Sequence, residues 1–387
     1  RGEAGRLVCH VAKTTPGGEG RVASRLLMRC ADDELAGRVE HCFAESKENG
    51  KAAPVWERGD WLLDFSRRDN PWEDSTRTFS PSALKQYLQC PLRFYFRRVL
   101  KMERVDPKKR EMAANDFGTL IHYVVEEFGR DEVARESQDE GEIAAIFDAR
   151  LNDEVEKRFG NQLALPLLVQ VDSARERLRS FARIQAEQRA LGWKILEVEK
   201  KIEGWNYQGE LFTMTIDRVE RNENDGRYRV TDFKTSSSAI KPDSAHLKTF
   251  KEGGSGPLAE AMEDISRGKT RLRSWTDVQL PLYVAWVAET YNGGSLEGVV
   301  AAYANLPKAV SDTAMAEWVI DEEMMASARE WVKAATQRIR DGIFWPPGEL
   351  DSKTKNYDEF GSLAPDEFKK ALTPELVEHL GGKELAQ

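Results

Sequence analysis

Two aspartates and a lysine stand where an extended hairpin would bring them together. Residues 211–220 (LFTMTIDRVE) and 227–234 (RYRVTDFK) alternate with period two and are rich in Val, Ile, Thr and Phe, which is the pattern of strands. The polar turn Glu223-Asn224-Asp225-Gly226 separates them. If this turn is the hairpin loop, Asn222 faces Arg227. Antiparallel pairing keeps the sum of paired numbers constant, so Asp217 then faces Asp232. Directly opposed residues have Cβ atoms roughly 4.5–5.5 Å apart. Two carboxylates that close repel each other unless a cation lies between them. Mg²⁺ commonly takes one or two carboxylates together with waters and substrate phosphate. Asp232 and Lys234, two apart, point to the same face. An ammonium there can orient a water and offset charge building on a phosphate. The same residues also fit an ordinary hairpin whose solvent face carries Asp, Asp and Lys.

Other elements must hold such a hairpin. A strand over 194–203 (KILEVEKKIE) precedes it, and its Glu199 can face the same site. Upstream, Ser80-Pro81 opens a helix: the serine suits the N-cap and the proline the first helical position. Leu84, Tyr87 and Leu88 share one face, Cys90-Pro91 interrupts, and a further helix follows over 91–100. Apolar periodicity predicts helices over 116–129, 142–159 and 167–191, then 277–291 and 321–341, with strands over 297–305 and 316–320. A helix is also expected over 31–45. The order of elements implies an α/β core with a mixed sheet flanked by helices, behind a helical N-terminal part. Residues 66–77 (SRRDNPWEDSTR) read as a linker, and 346–387 as a peripheral C-terminal tail.

The 387 residues are 40% hydrophobic and 32% charged, a globular composition with no apolar run of membrane-spanning length. No signal pattern precedes the first elements, and the chain starts at Arg1, as expected of a piece of a longer protein or of a processed product. Cys9, Cys30, Cys42 and Cys90 lack both paired metal spacing and the density of a secreted disulfide scaffold, so a reducing cytoplasm is the expected compartment. The net charge of −9 weighs against a nucleic-acid partner. Three local basic clusters weigh the other way: 93–110, 175–189 and 267–273, each readable either as a phosphate footprint or as a solvated helix face.

The ordered motifs narrow the reading. Phe79-Ser80-Pro81-Ser82-Ala83-Leu84, with Tyr87-Leu88, Cys90-Pro91 and Arg93-Phe94, resembles the opening of the RecB/AddB-type PD-(D/E)XK nuclease domain. Phe117-Gly118-Thr119-Leu120-Ile121-His122 resembles that family's Gly-x-x-x-His element. Ile216-Asp217-Arg218 and Val230-Thr231-Asp232-Phe233-Lys234-Thr235 resemble its two acidic strands, and Gln279-Leu280-Pro281-Leu282-Tyr283 its Gln-x-x-x-Tyr helix. A D-x-K tripeptide alone carries almost nothing; five elements in the family's order, over about residues 79–345, carry a good deal.

The resemblance implies a restriction-endonuclease-like fold and metal-dependent hydrolysis of DNA phosphodiesters in double-strand-break repair or recombination. It implies His122, Asp217, Asp232 and the Phe233 carbonyl as ligands of Mg²⁺ or Mn²⁺. Lys234 would position the water, while Gln279 and Tyr283 would contact DNA or support the site. The implied partners are DNA, a helicase–nuclease partner subunit and the preceding, helicase-like part of the same chain, whose tail residues 1–78 would be. AddB-type relatives hold an iron–sulfur cluster with one cysteine before the core and three after it. Here Cys90 fills the first place and no cysteine follows, so no such cluster is expected, and either packing joins the two ends instead or the domain is looser there. No Walker A pattern occurs, so no ATP site is expected. The competing reading is an inactive nuclease fold that binds DNA or scaffolds a helicase partner; a protein-interaction module without a DNA role is a third.

Overall fold

The computed structural model describes residues 28–43, 69–103, 111–249, 262–266, 269–348, 358–361, 363 and 368–382. The turn at 16–18 and the basic residues 104–110 lie outside them, as do most of the region where the missing cysteines would fall and residues 66–68 of the linker. The chain divides into two compact units, Arg1–Trp61 and Leu62–Gln387. In the first, helix α1 (Asp32–Phe43) begins with Asp32, Asp33 and Glu34, which suit the positive end of the helix dipole.

The second unit is built on a five-stranded mixed sheet. Its strands are β1 (Trp193–Tyr207), β2 (Glu210–Asn222) and β3 (Tyr228–Lys234), followed by β7 (Val299–Asn305) and β8 (Ala314–Trp318). The order is β1-β2-β3-β7-β8. All neighbours run antiparallel except β3 and β7, which are parallel and so need a crossover connection. Every residue of β7 is buried, as expected of a parallel strand covered on both faces.

Helices cover the two faces. One carries α2 (Pro81–Gln89), α3 (Pro91–Phe94), α8 (Gln279–Tyr291) and α9 (Glu322–Arg340), which share a core with Phe212, Ile216, Val230 and Tyr303. The other carries α4 (Ala114–Arg130), α5 (Glu140–Phe159) and α6 (Leu165–Ala190), packed on Ile195, Phe233 and Leu306. Local signals set several boundaries. Ser80 Oγ accepts the Ala83 N–H at 3.2 Å with Pro81 in the first turn, and Asp139 accepts from Glu142 at the start of α5. Phe79 pairs with β2, accepting from Thr213 N–H and donating to Leu211 O, which fixes the start of α2 against the sheet.

Three sequence expectations are corrected. First, the stretch between β3 and α8 is not simply a connection. It holds α7 (Pro242–His246) and a second, three-stranded sheet of β4 (Leu247–Thr249), β5 (Met262–Ser266) and β6 (Lys269–Trp275). The basic cluster 267–273 thus falls largely on a strand rather than a helix face. Second, the segment after residue 346 is not peripheral: Phe360, Phe368, Leu372, Leu376 and Leu380 join the core of α2, α3 and α9, with two short helices, α10 (Phe368–Ala371) and α11 (Pro374–His379). Phe96 packs edge-on against Phe360, and Arg93 pairs with Asp358 while lying over the Phe368 ring. The Cys90 thiol accepts the Gly348 N–H at 3.2 Å. These contacts join the two ends. Third, the 175–189 cluster is not a free basic surface: Arg179 and Arg183 stay on a solvated face, paired with neighbouring carboxylates, and the others are held further in. Arg175 and Arg179 pair with Asp148 of α5, and Arg189 with Glu136 and Glu223. Arg177 is buried over the Phe117 ring, donating to the carbonyls of Thr235 and Leu306.

Candidate active site

The site starts from the hairpin register. Arg218 pairs with Thr231, Val219 with Val230, Glu220 with Arg229 and Arg221 with Tyr228, and the Asn222 N–H donates to Arg227 O. The constant sum that the four-residue turn implied is therefore present, and its next pair would be Asp217 with Asp232. The backbone ladder ends one step before that pair. There the Asp217 carboxylate takes the place of a strand partner, accepting the Phe233 N–H at 2.9 Å. On its other side β1 is irregular at Glu199, which holds a left-handed backbone (φ 43°) between the pairs Val198–Arg218 and Lys200–Ile216. A non-glycine residue in that region is uncommon and is held by its surroundings.

Helix α4 brings the imidazole. Its buried side holds Leu120, Ile121, Val124, Val125 and Phe128. Two glycines let it lie close. A Cβ on Gly129 would meet Val198 Cγ1 at 2.5 Å, and one on Gly118 would meet Thr235 Oγ1 at 3.3 Å. His122 then reaches the ends of β2 and β3. Its Nε2 lies 3.1 Å from Phe233 O and its Nδ1 3.5 Å from Asp217 Oδ2. Ligand atoms of His122, Glu199 and Asp217 all fall within 4.8 Å of one another. Glu199 had only a weak signal in the sequence: alternation allowed it to face the site, but nothing announced its left-handed backbone.

Asp232 is beside this group, and other side chains hold both its oxygens. Gln279 Nε2 donates to Oδ1 at 2.9 Å, and Lys234 Nζ lies 2.5 Å from Oδ2. Gln279 directs its second amide hydrogen to Tyr283 Oη at 2.8 Å, and the Tyr283 hydroxyl donates to Thr215 O at 2.5 Å. The glutamine–tyrosine pair thus ties the two acidic strands together. Tyr283 is buried.

The electrostatics call for a cation. Burial, then the nearby Asp232 charge, pushes the Asp217 carboxyl well above the usual carboxylate range. Burial and Glu126 push Glu199 up as well. His122 is lowered by burial, against the pull of Asp232. Burial also opposes the Lys234 ammonium, but Asp232 and Asp217 outweigh it and raise its pKa. One imidazole, two crowded carboxylates and the Phe233 carbonyl form a donor set that suits a divalent ion taking oxygen and nitrogen ligands. A cleft of about 410 Å³ opens alongside, lined by Gly118, Thr119, His122, Tyr123, Glu126 and Glu199 among others.

The family model for the PD-(D/E)XK nuclease superfamily matches residues 78–351. The chain belongs to the PD-(D/E)XK nuclease superfamily. Membership implies a metal-dependent nuclease, and the donor set described above fits that requirement. The match spans all the elements that carry the site, from the Phe79 bridge and α2 to α9. The chain is similar to a crystallised candidate exonuclease from Eubacterium rectale, at 12% identity and a TM-score of 0.39, covering 79% of this chain and 100% of that one. No curated protein sequence matches the chain. Among the described residues, no helix of this PD-(D/E)XK protein is long and apolar enough to cross a membrane.

Proposed function

We propose that this PD-(D/E)XK domain is RecB/AddB-like and hydrolyses DNA phosphodiester bonds with Mg²⁺ or Mn²⁺. The observation that carries the reading is the meeting of His122, Glu199 and Asp217 within 4.8 Å, with Asp232 and Lys234 held alongside. A bound divalent ion would supply Lewis-acid stabilisation of the attacking and leaving oxygens. His122, Asp217, Asp232, Glu199 and the Phe233 carbonyl would hold it. Lys234 keeps a protonated ammonium against Asp232, where it can orient the attacking water and offset charge on the phosphate. Gln279 and Tyr283 keep Asp232 and the end of β2 in place. The ordered motifs from Phe79 to Tyr283 support assigning 79–345 as the nuclease domain and 1–78 as the end of a helicase-like region. They also support a role in double-strand-break repair in the cytoplasm, beside a helicase–nuclease partner subunit.

The test is cleavage of linear double-stranded and single-stranded DNA with Mg²⁺ or Mn²⁺. Wild type should degrade it, and Asp232→Ala and Lys234→Ala should each lose about 10²–10³-fold in rate. A wild type that shifts DNA in a gel yet leaves it uncut with either ion would overturn the reading in favour of an inactive binding or scaffolding module.

A further inference from the structure

A buried polar network lies behind the site, away from the cleft, and reaches the metal-ligand candidate Asp232 through its neighbours. Asp277, in the loop before α8, and His246, at the end of α7, are 1% and 0% exposed. The Asp277 carbonyl lies 2.8 Å from His246 Nδ1. A carbonyl only accepts, so Nδ1 carries the hydrogen. The neutral ring then offers Nε2 as an acceptor, and Tyr303 Oη donates to it at 2.8 Å. Trp318 lies against the His246 ring at 5.5 Å and helps fix its plane. Tyr303 stands on β7, in register with Asp232 on β3, and Lys234 Nζ lies 4.6 Å from the centre of its ring.

The other arm of the network runs to Gln279. Asp277 Oδ1 accepts the Gln279 backbone N–H at 2.9 Å, and Lys85 of α2 contacts Oδ2 at 2.7 Å. Burial opposes the Asp277 charge, and the Lys85 ammonium and the Gln279 N–H offset it. Gln279 and Lys234 are the two side chains that grip Asp232, one on each oxygen. Both are referred back to Asp277: Gln279 directly, Lys234 through His246 and the Tyr303 ring. Burying an ionised carboxylate costs several kcal/mol before compensation, and apolar packing could fill this space without that cost.

We propose that Asp277, His246 and Tyr303 are positioning residues that set the Lys234 ammonium and the Gln279 amide on the two oxygens of Asp232. The proposal rests on the nuclease reading for its effect on rate, but not for its geometry. Two measurements on the full chain separate them. In the first, DNA cleavage with Mn²⁺ is followed as kcat and KM. Tyr303→Phe keeps the ring and loses the hydroxyl, so kcat should fall about threefold to tenfold, the worth of one hydrogen bond. Tyr303→Leu also removes the ring, and kcat should fall on the order of a hundredfold, as misplacement by an ångström does. KM for DNA should stay put in both. The second uses ¹³C-lysine-labelled protein. The Lys234 ε-CH₂ signal, assigned by its loss in Lys234→Ala, should be shifted upfield by the Tyr303 ring. It should move away from that position in Tyr303→Phe and lose the ring shift in Tyr303→Leu. If the Lys234 signal in Tyr303→Phe matches wild type, the positioning proposal fails, whatever the rates. If kcat falls only as far as the folded fraction falls, the network is structural and the proposal fails as well. A wild type that cleaves no DNA would refute the nuclease reading, while the lysine signal still decides the positioning.

Discussion

Asp217→Asn should separate stability from the response to metal. Without a cation, Asp217 lies half-buried beside Asp232, and desolvation followed by that neighbouring charge raises its pKa. A carboxyl whose pKa rises on folding stabilises the fold fully below its unfolded value of about 3.9 and loses that contribution as pH climbs through the folded value. Near neutral pH the ionised group therefore opposes folding. Asparagine keeps an oxygen to accept the Phe233 N–H and removes the charge. Replacing uncompensated buried charge is worth about 1–2 kcal/mol here, at the low end of such effects. In a domain of this size that corresponds to a melting temperature roughly 2–4 °C higher than wild type in EDTA. Divalent ion reverses the order. At about 100 times its dissociation constant, a ligand that binds only the folded state adds about 2.7 kcal/mol. Wild type should gain most of that, and Asp217→Asn, lacking one ligand oxygen's charge, little of it. Calorimetric melts across a Mn²⁺ titration would show the curves crossing. The reasoning fails if Asp217→Asn melts below wild type in EDTA, or if Mn²⁺ stabilises both proteins equally.

Two further perturbations test the scaffold. Glu220 is buried between Arg229, at 2.8 Å, and Arg218, and also accepts from Thr231 Oγ1. Glu220→Gln should cost about 3–5 kcal/mol, because two buried guanidinium groups lose their shared counter-charge, and urea unfolding measures it. Burial works against the Glu220 charge, but Arg229 and Arg218 hold its pKa below the ordinary value. Its stabilisation is thus present above the unfolded pKa of about 4.3 and lost as pH falls through the lower folded value, so the variant's deficit should shrink in acid. Arg93 joins α3 to the segment after Asp358. Arg93→Ala should cost about 2–3 kcal/mol and let limited proteolysis remove α10 and α11, whereas an unchanged digestion pattern would mean that the aromatic contacts of Phe96 suffice alone.

How much of this was legible in the sequence depended on how local the cause was. Hairpin register follows from loop length alone, so Asp217 and Asp232 could be matched by arithmetic, and the ladder from Arg218 to Arg221 keeps that sum. Helix starts at Ser80-Pro81 and Asp139 follow from capping chemistry within a few residues. Alternation misled where charge is buried. Arg218, Glu220 and Arg229 sit under α6, bonded to Gln185 and Gln188, because the helix brings polar partners that no strand pattern reveals. The second sheet was missed for a related reason: its strands are short and charged, and only their pairing with one another gives them form.

The same distinction runs through the site itself. Spacing could place Lys234 on the face of Asp232, but spacing assigns it no fixed position. A lysine has a long, mobile stem, and two residues' separation on a strand leaves its ammonium free to reach solvent. What restrains it lies elsewhere in the sequence: Tyr303, paired with Asp232 across a parallel ladder, and through it His246 and Asp277. Those residues had no signature, because their roles exist only after β7 has been inserted beside β3 by a crossover of more than sixty residues. Glu199 is the same case on the opposite side. Its carboxylate comes within reach of His122 and Asp217 at a left-handed backbone position that alternation does not mark. The chemistry-bearing residues were therefore readable from type and spacing, and the groups that hold them in place were readable only from the fold.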